Sequence, residues 1–273
     1  LTLHGQKTMI LDVIYLSTTV MMTLPRERES IEEVYLLQWM LDNDIHKWII
    51  AKETGNDGYK HWQVRMNTRY TFDELKRAFP KAHIEQASDE YEYEKKEGNY
   101  VSSDDNEHTL LARYGKLRPN QRKYLENLES QNDRQIDVIV DNGRNSGNHG
   151  KTWLARHLYQ SGKGFYVPPT IGTGKGIIQF VASGYRAEPI IIIDVARSTR
   201  WNTELYVALE TIKDGLVYDT RYHHLQRDIH GVKLLVTCNE KPVTKRLSKD
   251  RWRLYDWKGD VYVDKPTLSQ ERL

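Results

Sequence analysis

Apolar positions change their spacing along this chain, and the change marks its organisation. Over residues 12–24 they run almost unbroken and predict a long strand ending at "TLPR". "ESIEEVYLLQWML" (29–41) repeats them at three and four, which predicts an amphipathic helix with Ser30 as N-cap and Glu33 three residues on. "HKWIIAKE" and "KHWQVRMN" alternate on either side of the turn "GNDG" and predict an antiparallel pair. "TFDELKRAF" reads as a helix capped by Thr71, and "AHIEQA" as a short strand. The tyrosine-rich "EYEYEKKEGNY" (90–100) reads as a further helix. This is an α+β pattern on an antiparallel sheet. Polar "SSDDNEH" then argues for a boundary within 101–119, and "NQRKYLENLES" predicts a short helix after Pro119.

From about Asp133 the texture differs. "RQIDVIVD", "EPIIIIDVARS" and "VKLLVTCNE" are apolar runs alternating with helical stretches, the pattern of an α/β domain with a covered parallel sheet. The expected division is 1–116, a linker or oligomerisation helix over 117–132, and a second domain over 133–273.

Composition narrows the classes. Lys plus Arg total 40 against 38 acids in 273 residues, so a nucleic-acid surface must be a local patch. The single cysteine, Cys238, excludes an intrachain disulfide and suits a reducing compartment. No apolar run approaches about 18 residues, so no membrane partner is expected. The opening segment lacks a cleavable signal layout and reads as a strand.

Two stretches carry chemistry. "GNHGKT" (147–152) stands between a buried-strand pattern and a helix, the context of a phosphate loop. There Gly147, Asn148 and Gly150 bring backbone N–H groups to phosphates, Lys151 reaches the outer ones, and Thr152 ligates Mg²⁺. The full pattern wants glycine at 145, where Asn145 stands, with Gly143 and Gly147 flanking it. Asp194 ends "IIIID" and suits the carboxylate of a Walker B strand. Val195 follows it in place of a second acid, so Glu188, Asp214 and Asp219 leave the water-polarising group unassigned. Asn239 ends another apolar strand and is an amide for the γ-phosphate. Arg251 in "LSKDRW" is the candidate arginine finger toward a neighbouring subunit.

In the first half, His61 and Gln63 are two apart on a strand and share a face, with Glu53 on the paired strand. Imidazole, amide and carboxylate suit Mg²⁺ or Mn²⁺ better than Zn²⁺. Tyr93 and Lys96 share a helical face at an offset of three, whereas Tyr91 has Glu94 there and Tyr100 lies beyond Gly98. A phenol of pKa about 10 is a poor nucleophile. It attacks a phosphodiester when a metal polarises the phosphate and a cation such as Lys96 balances the charge. The alternative for each stretch is bland: a solvated tyrosine helix, a surface strand pair, a glycine-rich turn.

Taken in order, these marks resemble the replication initiator (Rep) proteins of small circular single-stranded DNA viruses and rolling-circle plasmids. "TLPR" matches the first motif, "HWQ" (61–63) the HUH-type second motif with Gln for its second His, and "YEKKEGN" (93–99) the third. "GNHGKT", "IIIIDVARS", "VTCNEKP" and "LSKDRW" match a superfamily 3 helicase, and the forms of "IIDVARS" and "LSKDRW" look most like smacovirus Reps. The resemblance implies an HUH endonuclease followed by a P-loop ATPase. It implies nicking of single-stranded origin DNA by Tyr93, strand rejoining, ATP-driven unwinding, a hexameric homo-oligomer, use of host replication machinery and a host-nuclear location. Glu53 is carried over as third metal ligand. Basic and aromatic residues of "DTRYHHLQRDIHGVK" (219–233) would face DNA. Two competitors remain: a stand-alone P-loop ATPase, excluded by metal-dependent cleavage of an origin oligonucleotide, and a non-enzymatic origin binder, excluded by ATP hydrolysis.

Overall fold

The computed structural model describes residues 17–26, 32–55, 57–142, 147–221 and 224–262. Ser30, Gly143 and Asn145 lie outside them. The chain divides into two compact units after Asp105.

In the first unit β1 is Thr18–Pro25, α1 Glu33–Asp42, β2 Lys47–Thr54, β3 Lys60–Thr68, α2 Phe72–Ala78, β4 His83–Gln86 and β5 Tyr100–Ser102. They form one antiparallel sheet in the order β4-β1-β3-β2-β5. Period-two alternation sorts its faces. Val20, Met22 and Leu24 on β1 and Trp62, Val64 and Met66 on β3 turn to one side, where Leu36 and Met40 of α1 and Leu75 of α2 complete a core. The opposite face carries Thr23, Glu53, His61, Gln63 and Arg65, because β3 pairs Gln63 with Thr23 and His61 with Glu53. Thr71 caps α2 as the sequence predicts, and Glu74 returns a bond to the Thr71 N–H.

The tyrosine stretch departs from its expected helix. It makes a single 3-10 turn over Tyr93–Lys95, ended by Gly98 at φ +65°. The physical reason is anchoring: Glu94 points inward and is 1% exposed, and Tyr91 and Tyr100 lie against Ile49 and Ala51 on the sheet. These inward contacts stop a regular helix from forming.

The second unit contains α3 Glu107–Tyr114, α4 Pro119–Glu129, β6 Ile136–Val140, α5 Lys151–Gln160, β7 Gly164–Val167, α6 Gly174–Gly184, β8 Ile190–Asp194, α7 Thr203–Asp214, β9 Leu216–Asp219, β10 Leu225–Asp228, β11 Lys233–Cys238 and β12 Trp252–Tyr255. Its main sheet is parallel, in the order β12-β6-β11-β8-β7, and β9 and β10 form a separate hairpin. Alternate residues of the buried strands feed two cores. Val138, Ile193 and Val236 meet α6 and α7 on one face. Ile139, Ile192 and Leu235 meet Tyr124 and Leu128 of α4 and Leu154 and Leu158 of α5 on the other. The parallel-sheet expectation therefore holds. The boundary falls ahead of residue 116 because α3 docks on α5, with His157 Nδ1 2.7 Å from the Ala112 carbonyl. Residues read as a linker over 117–132 include α4, whose Tyr124 and Leu128 are core side chains. Among the described residues no helix is long and apolar enough to cross a membrane.

Candidate functional site

On the polar face of the first sheet, β2–β3 pairing puts Glu53 opposite His61. Glu53 is 3% exposed. Its Oε2 lies 2.7 Å from Lys96 Nζ and 3.7 Å from His61 Nε2, and its buried Oε1 has no hydrogen-bond partner. His61 Nδ1 is 3.2 Å from the Tyr59 carbonyl. Gln63 Oε1 accepts a 2.9 Å bond from Thr23 Oγ1 and points from the same face. Among the described residues no three His, Cys, Asp or Glu side chains gather as a metal cluster. Carboxylate, imidazole and amide oxygen thus fit a hard divalent ion, with Lys96 already beside the carboxylate.

The 3-10 turn brings Lys96 over Tyr93, Nζ 4.0 Å from the ring centroid. An offset of three is eclipsed in a 3-10 turn, so the spacing read from the sequence survives the loss of the helix. Burial pulls the Lys96 ammonium down, but bonds to Glu53 and Tyr93 outweigh it and its pKa is raised. It stays a cation. Exposure separates the three tyrosines. Tyr93 is 55% exposed, Tyr100 3%. Tyr91 is half-buried, and desolvation first, then Asp89, pushes its phenol up to about 12.

The second site lies at the carboxyl ends of the parallel strands, where open α/β sheets take ligands. β11 lies between β6 and β8, so Asp141 and Asn239, which follow β6 and β11, stand beside Asp194, the last residue of β8. A cleft of about 540 Å³ is lined by Gly147, Asn148, Gly150, Lys151, Thr152, Asp194 and Asn239, and also by Arg118 and Arg197. Asn148 (φ +56°) and Gly150 (φ +84°) take left-handed conformations that bend the loop into the start of α5. A Cβ on Gly150 would come 2.8 Å from Gln121 Nε2. Asp194 accepts 2.6 Å from Thr237 Oγ1, and Asn239 donates 3.0 Å to the Asp141 carbonyl.

No protein-family profile matches the chain. It is 25% identical over 271 residues to Para-Rep C7 of Faba bean necrotic yellows C7 alphasatellite, covering 80% of this chain and 92% of that protein. It is 29% identical over 109 residues to the master replication protein of banana bunchy top virus, covering 40% and 36%. Para-Rep C10 of Milk vetch dwarf C10 alphasatellite is 27% identical over 142 residues, 50% of this chain and 47% of that one. The chain is thus similar to Rep-type replication proteins.

In this Rep-like chain the candidate arginine finger has partners within its own unit. Arg251 is 6% exposed, with Nη2 3.0 Å from Asp214 Oδ1 and Nε 3.5 Å from Glu210 Oε1. Its guanidinium is held by two carboxylates of α7. Asp219 is likewise engaged, by Arg221 in the β9–β10 hairpin, and Asp214 by Arg251. Neither lines the cleft. Positions 222–223 of the stretch expected to face DNA lie outside the described residues.

Sequence reasoning missed two charges that position the sites of the Rep-like chain. Arg65 holds the buried Glu94 at 2.8 Å and also donates 2.8 Å to the Ser88 carbonyl. Burial keeps the Glu94 carboxyl raised although Arg65 pulls it down. The signal was present: Arg65 continues the His61, Gln63 alternation. Arg65→Ala leaves Glu94 buried without its partner, so the first unit is expected to lose about 3–5 kcal/mol of stability. Urea unfolding checks this, and a loss under about 1 kcal/mol would show that the turn is held by other contacts. The second missed residue is Asp141, at the end of β6.

Proposed function

We propose that the chain initiates rolling-circle replication by cutting and rejoining one DNA strand in its first unit and hydrolysing ATP in its second. One observation carries the nicking half. The exposed Tyr93 lies under the same Lys96 ammonium that bonds Glu53, whose other neighbour is His61. Phenol, cation, carboxylate and imidazole thus lie side by side at the antiparallel sheet, which supports the reading.

Tyr93 Oη attacks the phosphorus of a single strand. As the Oη–P bond forms the P–O3′ bond breaks; the phenol gives its proton to solvent and the leaving oxygen takes one up, so a 3′-OH departs for extension by a host polymerase. Lys96 balances the developing phenolate. Glu53, His61 and Gln63 would hold Mg²⁺ or Mn²⁺, which supplies charge neutralisation at the phosphate. The 5′-phosphate stays linked to Tyr93, and attack by a 3′-OH reverses the step, so no external energy is consumed.

In the second unit, loop amides and the N-terminus of α5 suit phosphate, Lys151 reaches the outer phosphates, and Thr152 and Asp194 suit Mg²⁺. Asn239 is the amide facing the γ-phosphate. Assembly of copies into a hexameric ring, DNA contact by 219–233 and work in a host nucleus belong to the same proposal.

The deciding experiment is mass spectrometry of a fragment ending at Asp105 after incubation with a single-stranded origin oligonucleotide and Mn²⁺. An adduct on Tyr93 without ATP is expected. A folded fragment that forms none sinks the nicking assignment. In addition, His61→Ala and Gln63→Ala should each raise the Mn²⁺ concentration for half-maximal nicking about 10–100-fold, the scale of losing one metal-site group. A Mn²⁺ titration matching the unaltered chain in both would place the metal elsewhere.

A further inference from the structure

We infer that Asp141 is the positioning residue of the phosphate loop, an internal anion that a nucleotide phosphate must displace from Lys151. The inference rests on the nucleotide reading above. Asp141 is fully buried at the end of β6. Its Oδ2 takes a 2.5 Å bond from Lys151 Nζ and a 3.2 Å bond from the Gly147 N–H, and its Oδ1 lies 2.9 Å from His149 Nδ1. One carboxylate therefore gathers the lysine and a loop amide, the two kinds of donor that a phosphate would use. Burial pushes the Asp141 carboxyl up, yet bonds from Lys151 and His149 outweigh it and hold it below the usual carboxylate range.

The rest of the loop is fastened independently. Gln121 Nε2 donates 2.9 Å to the Gly150 carbonyl and Arg118 Nη1 3.3 Å to that of Asn148. His149 stacks on Trp257, centroids 4.4 Å apart at 17°, and Asn120 donates 3.0 Å to the Trp257 carbonyl. The backbone is thus held from α4 and from the turn after β12, while the flexible Lys151 stem is the part that can move. Phosphate at the loop must draw the ammonium away from a buried carboxylate, which among the described residues keeps His149 and Gly147, and must sit near its negative charge. Both effects oppose nucleotide binding.

Asp141→Asn keeps the size and an acceptor for His149 or Gly147 but removes the charge. In titrations of the full chain with a fluorescent ATP analogue and Mg²⁺, followed by anisotropy, its Kd is expected to fall at least five-fold. Asp141→Glu, which keeps the carboxylate on a longer arm, is expected to bind no more tightly than the unaltered chain. An unchanged or larger Kd for Asp141→Asn, with normal binding by the unaltered chain, overturns the inference alone. Tighter binding by Asp141→Glu overturns it too, and stands as the test if Asp141→Asn does not fold. If neither the unaltered chain nor Asp141→Asn binds the analogue, the nucleotide reading falls and this inference with it.

Discussion

Tyr93→Phe is expected to lower covalent protein–DNA linkage by at least about 10³-fold, the scale of removing a nucleophile, and to leave ATP hydrolysis at its unaltered rate. The substitution removes one oxygen from a 55% exposed ring. The ring remains for Lys96 to cover, so folding should be untouched. Neither neighbour can substitute. Tyr100 is buried on β5, and Tyr91 lies against Ile49 and Ala51 with its phenol pushed up to about 12. Because the phosphate loop belongs to the other compact unit, ATP hydrolysis serves as an internal control. Adduct formation retained by Tyr93→Phe would move the nucleophile to another residue, and peptide mapping of that adduct would name it.

The second large effect concerns Lys151. Lys151→Ala should reduce ATP hydrolysis by about 10²–10³-fold, the loss seen when one preorganised charge donor is removed from a transition state. Nicking of single-stranded DNA should persist, since Glu53, His61, Gln63, Tyr93 and Lys96 all precede Asp105. The variant carries a further signature. Lys151 is a close partner of the buried Asp141 carboxylate, so its removal also lowers the melting temperature of the second unit. Asp141 keeps His149 at 2.9 Å, which limits that loss. Steady-state phosphate release and a thermal melt measure the two effects. Hydrolysis within about threefold of the unaltered chain would remove Lys151 from the chemistry.

How much of this was legible from residues alone depends on the range of the interaction. The strand ligands were readable because alternation with a period of two is local: once β3 is a strand, His61 and Gln63 must share a face. The β2–β3 turn then brings Glu53 to that face, since a hairpin sets its own register. The glycine-containing turn into α5 was readable for a similar reason. Glycines, lysine and threonine are contiguous, and the backbone conformations at Asn148 and Gly150 are local requirements. The offset between Tyr93 and Lys96 was readable too, although the helix assumed for it was not formed.

What the residues could not reveal depends on contacts between distant elements. Arg65 and Glu94 are 29 positions apart, and only the folded sheet makes Glu94 an inward anchor. Arg251 resembles a free loop arginine until α7 supplies Asp214 and Glu210 beside it. Asp141 looks like an ordinary strand end, and becomes the partner of Lys151 only when the loop turns back over β6. By itself, then, the sequence determined the two sheet types, the shared face of His61 and Gln63 and the turn ahead of α5, because short-range periodicity and backbone sterics dictate them. Tertiary structure decided which tyrosine is exposed, which arginine is occupied and where each charge finds its partner, because burial and ion pairing are properties of the packed chain.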